Sequence, residues 1–248
     1  MGGEGVAWVG LSRFTEIPHI FQNMGDGTYQ HSGILAVRQA VAANVNITYK
    51  ILYNDAVAMT GGQPAEGTLT VGSIAMQCRA EGVETLVIVS DDVVRTRTQS
   101  QLAAAETIHP RSKLDAIQKQ LRETKGVTVI IYDQTCAAEK RRRRKKGELE
   151  DPKKRLFIND RVCDDCGDCS LQSNCIAVEP LETAFGRKRQ INQNSCNKDY
   201  SCKEGFCPSF VLLDGVDIAK PDQTDIVSRE TCCLSQSSAA DEEGRGCE

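Results

Sequence analysis

The twelve cysteines of this 248-residue chain are distributed very unevenly, and their distribution constrains the fold more than any other feature. Only Cys78 and Cys136 precede residue 163, whereas seven cysteines fall between Cys163 and Cys207 inclusive. The N-terminus shows no basic segment followed by an apolar one, so we expect a cytoplasmic protein in which disulfides are disfavoured. The cysteine-rich part is therefore expected to be a small unit that is cross-linked by metal rather than by a large apolar core.

A run of seven cations at residues 140–146 separates this part from the rest of the chain. Residues 140–155 carry a net charge of +7, although the whole chain has a net charge of −4. Because Gly147 and Pro152 lie in the same stretch, it is expected to be a solvated linker. The alternatives are a surface that steers an acidic electron-carrier protein and a nucleic-acid site. Nucleic acid is disfavoured because no aromatic platform accompanies the charge.

Before the linker, apolar β-branched runs alternate with amphipathic stretches. The runs predict strands at residues 6–9, 47–52, 86–89 and 127–131, and helical spacing predicts helices near residues 33–44 and 114–121. Strands that alternate with helices and lack a polar face indicate an α/β fold with a mostly parallel sheet covered on both sides. No segment approaches the 18 apolar residues of a membrane helix, so no membrane partner is expected.

Candidate oxygen ligands recur at two places in this part of the chain. The motif Gly25-Asp26-Gly27 is followed, after 26 intervening residues, by Asn54. A glycine turn at a strand end lets the backbone approach a ligand closely, and the aspartate supplies a hard oxygen for a cation. The intervening helix and strand return the chain to the same sheet edge, where Asn54 can add a second oxygen. The spacing therefore predicts a site for Mg²⁺ and a diphosphate, although Gly-Asp-Gly alone is also a common surface turn.

The stretches GDGTYQHSG, ILYNDAVAMTGGQP and YDQTCAAEK, with the cation run, carry a resemblance to a known family. They resemble the thiamine-diphosphate-binding domain of the 2-oxoacid:ferredoxin oxidoreductases, and most closely the long fused bacterial indolepyruvate ferredoxin oxidoreductases. The resemblance extends from residue 1 to about residue 213. One position departs from the family's thiamine diphosphate motif, because its Asn-Asn ending is Asn54-Asp55 here.

The resemblance implies roles for individual residues. Asp26 and Asn54 would be side-chain ligands of Mg²⁺, with the main-chain carbonyl of Val57 as a third ligand. His31 could contact the diphosphate or the substrate, or it could instead cap the helix predicted to begin near Gly33. The residues implied in binding thiamine diphosphate are Gly25, Asp26, Gly27, His31, Asn54 and Gly61.

The spacing of Cys163, Cys166 and Cys169 is that of the three-ligand loop of bacterial ferredoxins. In those proteins a cysteine followed by proline ligates a cluster whose other ligands are distant in sequence, and Cys207 precedes Pro208. We therefore favour Cys163, Cys166, Cys169 and Cys207 around one [4Fe–4S] cluster, with Cys175 as the alternative fourth ligand. Zinc and disulfides are less favoured, since a tight triplet does not match paired zinc ligands.

The remaining cysteines of the group leave several alternatives open. Cys175, Cys196 and Cys202 could hold a second cluster with a non-cysteine ligand or with three irons, or they could be structural. The predicted domains are a thiamine-diphosphate-binding domain at residues 1–138, a basic linker at 139–155, a ferredoxin-like iron–sulfur module at 156–215 and a disordered tail at 216–248.

The function implied by the resemblance is the oxidative decarboxylation of indolepyruvate or another aryl pyruvate. The product would be the acyl-CoA, and electrons would pass through iron–sulfur clusters to ferredoxin. In the family, the pyrimidine ring of the cofactor is activated from a separate domain, so we expect this chain to be a fragment or subunit that needs further domains. The alternative is a non-catalytic iron–sulfur electron-transfer or scaffold module that has lost thiamine-dependent activity.

Overall fold

The computed structural model describes residues 2–54, 69–100, 102–103 and 106–216. The chain divides into two compact units, Met1–Glu150 and Asp151–Glu248. Within the described residues, no helix is both long and apolar enough to cross a membrane.

A parallel sheet forms the centre of the first unit, as the sequence predicts. Its strands are β1 Ile20–Gly25, β2 Ile47–Tyr53, β3 Thr85–Ser90, β4 Ile108–Pro110 and β5 Val127–Asp133. Their order is β1-β2-β5-β3-β4, and every pair is parallel. All five strands therefore present their carboxyl ends at one edge of the sheet.

Helices and helical turns connect these strands. The helices are α1 Val6–Leu11, α2 Asp26–Thr28, α3 Ile34–Ala43, α4 Val71–Ala80, α5 Val93–Gln99, α6 Leu114–Arg122 and α7 Ala137–Lys146. A π-helical segment, Tyr29–Gly33, joins α2 to α3, and 3₁₀ turns lie at Ser12–Phe14 and Arg111–Lys113.

The three central strands, β2, β5 and β3, are largely buried, which explains why they are mostly apolar. On β5, Val129 and Ile131 point into the larger core cluster, which includes Ile74 of α4. Ile130 points to the opposite face, where it packs with Ile117 and other residues of α6. Because side chains alternate along a strand, β5 contributes to both cores.

The strand predicted at residues 6–9 is wrong, because these residues belong to α1. Gly5 precedes the helix with φ +82°, a left-handed conformation suited to glycine. Trp8 is buried against the unit and its Nε1 donates a hydrogen bond to the carbonyl of Asn46 at 3.0 Å. The short apolar run thus forms a helix that packs one side chain, Trp8, into the core. The strands β1 and β4 were not predicted from the sequence.

The predicted linker begins with a helix. Residues 139–146 belong to α7, and the division between the two units falls later, between Glu150 and Asp151. Gly147 ends α7 with φ +77°, and its N–H donates to the carbonyl of Arg144. The cations of the last turn also favour helix, since they lie at the negative end of the helix dipole.

The second unit is built from short elements around a small core. These are β6 Lys154–Ile158, α8 Asp168–Ser173, β7 Val178–Thr183, β8 Gly186–Ile191, a 3₁₀ turn at Ser201–Lys203 and β9 Phe210–Asp214. β7 and β8 form an antiparallel hairpin, and β6 pairs antiparallel with β9. Two cysteines, Cys169 and Cys202, belong to its core with Leu156 and Val178. The predicted tail lies outside the described residues from residue 217 onward.

Candidate cofactor site and cysteine loop

Asp26 directly follows β1 at the carboxyl edge of the sheet. Gly25, the last residue of β1, is in register with Leu52 of β2, so the residues that follow the two strands are neighbours. Asp26 is only 3% exposed. Its Oδ2 accepts the backbone N–H of Asn54 at 2.9 Å, and its Oδ1 accepts that of Gly27 at 2.7 Å. The fold therefore brings together Asp26 and Asn54, which are distant in sequence.

Two glycines shape the backbone around Asp26. A Cβ added at Gly25 would meet no atom of the described residues within 4 Å, so these residues leave open space beside the end of β1. A Cβ at Gly33 would lie 2.7 Å from Sδ of Met24 and 3.1 Å from the carbonyl oxygen of Thr28. Glycine at position 33 thus allows the helical segment to pack closely against Met24 of β1.

His31 lies in the π-helical segment and is exposed. Its Nδ1 is 2.8 Å from Oγ of Ser32. Helical backbone already begins at Asp26, and the N-cap position of α3 is Gly33, which receives no side-chain cap. The alternative role of His31 as a helix cap is therefore wrong, while its contact with a diphosphate stays a prediction. The π-helical segment was not predicted, although such segments often lie at functional sites.

The remaining residues expected at this site are Val57 and Gly61, and both lie outside the described residues. The candidate ligand residues that are described fit a site for Mg²⁺ and a diphosphate. A buried carboxylate and an asparagine follow adjacent parallel strands, and the described residues leave open space beside Gly25. Carboxylate and amide oxygens are the ligands that Mg²⁺ prefers beside phosphate oxygens.

A second buried carboxylate, Asp133, lies at the same edge of the sheet and was not singled out from the sequence. It ends β5, is in register with Ser90 of β3, and is 7% exposed. It accepts hydrogen bonds from Oγ1 of Thr96 and, at 3.2 Å, from Nη2 of Arg95. Arg95 and Lys140 also pair with Asp91. An aspartate directly after a buried β-branched strand is the signal that could have identified it.

The first cysteine loop, residues 163–169, forms a tight turn in the second unit. Cys163 and Cys169 are each 7% exposed, whereas Cys166 is exposed. The backbone N–H of Asp165 donates to Sγ of Cys163 at 3.4 Å. Asp165 and Gly167 both have positive φ values, +53° and +82°, which produce the turn.

Cys207 is associated with this loop. A Cβ at Gly205 would overlap Oδ2 of Asp168, so this segment passes close to a side chain of α8. Burial raises the pKa of Cys169, and negative charge on Cys207 adds to the increase. The choice of Cys207 as fourth ligand stays a prediction.

Cys175, Cys196 and Cys202 form a separate group. Burial raises the pKa of Cys202 to about 11, and negative charge on Cys196 and Cys175 adds to the increase. Burial likewise raises the pKa of Cys196, again with a contribution from Cys175. Cys175 also packs against the small core that contains Cys202.

The implied iron–sulfur cluster fits the cysteine loop in chemistry. The thiols are soft ligands, two of them are buried, and a backbone N–H already donates to one sulfur. Within the described residues, however, no three Cys, His, Asp or Glu side chains converge closely enough to hold a metal ion. The ferredoxin-like module is therefore not confirmed.

Comparison with known families identifies the first unit. The family model described as thiamine pyrophosphate enzyme, C-terminal TPP binding domain, matches residues 1–132, which is more than half of the chain. The chain belongs to this family. The matched TPP-binding domain contains Asp26 and Asn54, the first four strands of the sheet and nearly all of β5. The site described above therefore lies within the cofactor-binding domain of the family.

Curated relatives extend the likeness beyond this domain. The chain is 28% identical over 212 residues to indolepyruvate oxidoreductase subunit IorA of Archaeoglobus fulgidus, covering 83% of this chain and 31% of the relative. It is 26% and 24% identical to the proteins of that name from Thermococcus kodakarensis and Pyrococcus horikoshii, each time over 76% of this chain and 27% of the relative. The chain thus spans about a third or less of the length of these relatives.

One solved structure also matches part of the chain. It is an X-ray structure of an enzyme from Mycobacterium smegmatis that is described as thiamin diphosphate-dependent. The match has 20% identity and a TM-score of 0.37, and it covers 53% of this chain and 20% of the other. At that TM-score the likeness does not bear on the fold.

Proposed function

We propose that the chain is the cofactor-binding part of a thiamine-diphosphate-dependent 2-oxoacid oxidoreductase. The reaction would be the oxidative decarboxylation of indolepyruvate or another aryl pyruvate to the acyl-CoA. The observation that carries the proposal is the contact between Asp26 and Asn54 at the carboxyl edge of the sheet, within the TPP-binding domain. The substrate is suggested by the relatives that bear the name indolepyruvate oxidoreductase.

In this proposal, Asp26 and Asn54 hold Mg²⁺ through their side chains, and the carbonyl of Val57 supplies a third oxygen. Bound thiamine diphosphate supplies the carbanion-stabilising chemistry that decarboxylation of a 2-oxo acid requires. The chain binds and orients the diphosphate: Asp26 is held by two backbone N–H groups, and the described residues leave room for the ligand beside Gly25. In this proposal, a carboxylate that the backbone already holds in place is oriented before the ligand binds.

The cysteine loop would serve electron transfer in the same enzyme. Cys163, Cys166, Cys169 and Cys207 would hold a [4Fe–4S] cluster, with Cys175 as the alternative fourth ligand. Such a cluster, when bound, supplies one-electron transfer, for which we propose ferredoxin as acceptor. The further partners would be the pyrimidine-binding and other domains of the same enzyme, and coenzyme A. We propose that the enzyme is cytoplasmic.

Calorimetric titration with thiamine diphosphate and Mg²⁺ tests the cofactor site. Asp26→Asn should weaken Mg²⁺-dependent binding by at least about tenfold, because even outer-shell partners of a metal site commonly contribute that much. Asp115→Asn is the matched control, since Asp115 lies on α6 with a side chain that is 76% exposed. Equal binding by wild type and Asp26→Asn would contradict the proposed ligand.

Iron and sulfide analysis of anaerobically prepared protein tests the cysteine loop. Wild type should contain both, and Cys207→Ser should lose the visible absorbance of the cluster while Cys175→Ser keeps it. The opposite pattern would make Cys175 the fourth ligand. Iron without any Mg²⁺-dependent binding of thiamine diphosphate would instead support the non-catalytic electron-transfer or scaffold module.

A further inference from the structure

Three consecutive cations of β8 contact the first cysteine loop. Arg187 Nε lies 2.8 Å from Oδ2 of Asp165, and Arg189 Nε contacts Oδ1 of the same carboxylate. Nζ of Lys188 donates to the main-chain carbonyl of Cys163 at 2.7 Å. The hairpin strand is thus tied to the loop through one side chain and one backbone oxygen.

Asp165 connects these contacts to a thiol. Its backbone has the left-handed φ of +53°, and its N–H donates to Sγ of Cys163. Its side chain is 15% exposed and that of Arg189 is 20% exposed, so this pair is partly shielded from solvent. Charge-assisted hydrogen bonds in such surroundings are stronger and more directional than exposed ion pairs. Asp165 therefore takes part in the turn of the loop, in the contact with the Cys163 thiol and in the ion pairs with β8.

We propose that Asp165, clamped by Arg187 and Arg189, is the positioning residue of the first cysteine loop. The clamp holds the loop against β8 and directs the N–H of Asp165 at Cys163, so that the loop is ordered before it binds a metal. Its value for cluster binding rests on the function proposed above. The clamp itself consists of contacts within this chain and needs no metal.

Cysteine alkylation of the full-length chain tests the clamp without reference to iron. The protein is prepared anaerobically, treated with a chelator, and alkylated with iodoacetamide for increasing times, and the labelled cysteines are identified by peptide mass spectrometry. Asp165→Asn is the variant of choice because asparagine tolerates a left-handed backbone and removes only the charge. Labelling of Cys163 should become about tenfold faster, as expected when a charge-assisted hydrogen bond is lost.

Two controls separate release of the loop from unfolding of the unit. Asp164→Asn changes the exposed neighbouring carboxylate and should label like wild type. Cys202, which is 8% exposed in the core of the same unit, should label at an unchanged rate in every variant. Unchanged labelling of Cys163 in Asp165→Asn, or a parallel increase at Cys202, would overturn the proposal.

Conservative variants and iron content provide the second measurement. Arg189→Lys keeps a cation, so its Cys163 should be alkylated at the wild-type rate. In Arg189→Gln, as in Asp165→Asn, alkylation of Cys163 should be faster. If wild type binds iron, Asp165→Asn should retain several-fold less iron and sulfide and show an altered electron paramagnetic resonance spectrum. If wild type holds no iron, the cluster proposal fails, and the labelling rates alone decide whether the clamp exists.

Discussion

His19 is buried in the first unit in surroundings that disfavour its charged form. It is 7% exposed, and its Nε2 lies 2.7 Å from Oγ1 of Thr48, which is 2.7 Å from Oγ1 of Thr128. Nδ1 is buried without a hydrogen-bond partner among the described residues. Burial, and then the positive charge of Arg122, lower the pKa of His19. The folded protein therefore resists protonation of this side chain.

The stability of the first unit should consequently decrease at mildly acidic pH. Below the ordinary histidine pKa of about 6.5, the unfolded chain binds a proton that the folded chain does not, so unfolding becomes more favourable. The loss begins as the pH falls through that value and ends below the lowered folded-state pKa, with a slope of at most about 1.4 kcal/mol per pH unit. Urea unfolding of wild type and His19→Gln between pH 5 and 8 measures it. The variant should show a shallower pH dependence, and identical slopes would contradict the prediction.

At the scale of single elements, α4 depends on a reciprocal cap at its N-terminus. Oγ1 of Thr70 accepts the N–H of Ser73 at 3.1 Å, and Oγ of Ser73 accepts the N–H of Thr70 at 2.8 Å. The helix carries Ile74 and Cys78, which are both fully buried in the larger core. Burial raises the pKa of Cys78 to about 11, as is typical of an unreactive core thiol.

Removal of this cap should destabilise the first unit measurably. Thr70→Ala is expected to lower the free energy of unfolding by about 1 kcal/mol, because one backbone N–H of the first turn loses its acceptor. A double-mutant cycle with Ser73→Ala isolates the reciprocal pair. The two substitutions should be clearly less than additive, and additive effects would show that the two side chains do not act together.

The helix α7 shows how composition can conceal an element. Its sequence AAEKRRRRKK consists of good helix formers, yet its charge alone suggests a solvated linker. Glu139 pairs with Arg142 and Arg143, three and four residues later, which relieves part of the repulsion among the cations. Helix propensity and i,i+4 pairing therefore outweigh the charge density that favours a linker.

For the whole molecule, each proposed ligand should stabilise the unit that contains its binding residues. Trp8, the single tryptophan, is buried in the first unit, so its fluorescence reports the unfolding of that unit. Thiamine diphosphate with Mg²⁺ at a hundred times its Kd should raise the unfolding free energy seen by Trp8 by about 2.7 kcal/mol. Urea titrations with and without the ligand measure the difference. Asp26→Asn is the control, in which the ligand should have little effect.

Iron removal should act on the second unit. Alkylation of Cys202 reports the unfolding of this unit, because Cys202 lies in the small core and is protected while the core is intact. If the loop binds a cluster, a chelator should increase the labelling of Cys202 in urea at concentrations that leave Trp8 fluorescence unchanged, since metal binding contributes directly to folding. Equal protection before and after iron removal would mean that the apolar contacts of the unit suffice without metal.

Local sequence patterns were sufficient to predict much of the first unit. β2, β3 and β5 are long and apolar, and α6 has a clear 3.6-residue period, so each was predicted near its observed bounds. The four-residue run at residues 6–9 formed α1 instead of a strand. β4 is only three residues long and pairs with β3, which a local pattern does not indicate. The prediction was therefore reliable where burial and periodicity agreed over many residues.

The sequence by itself determined the α/β class, the difference between the α/β part and the cysteine-rich part, and the candidate ligands Asp26 and Asn54. Periodicity and motif spacing are local properties, so they can be read without the fold. Only the tertiary structure decided which distant groups meet. It placed Asn54 against Asp26, added Asp133 to the same edge, and clamped Asp165 between Arg187 and Arg189. These contacts depend on strand register and hairpin pairing, which bring together residues that are distant in sequence, and no local pattern encodes such pairing.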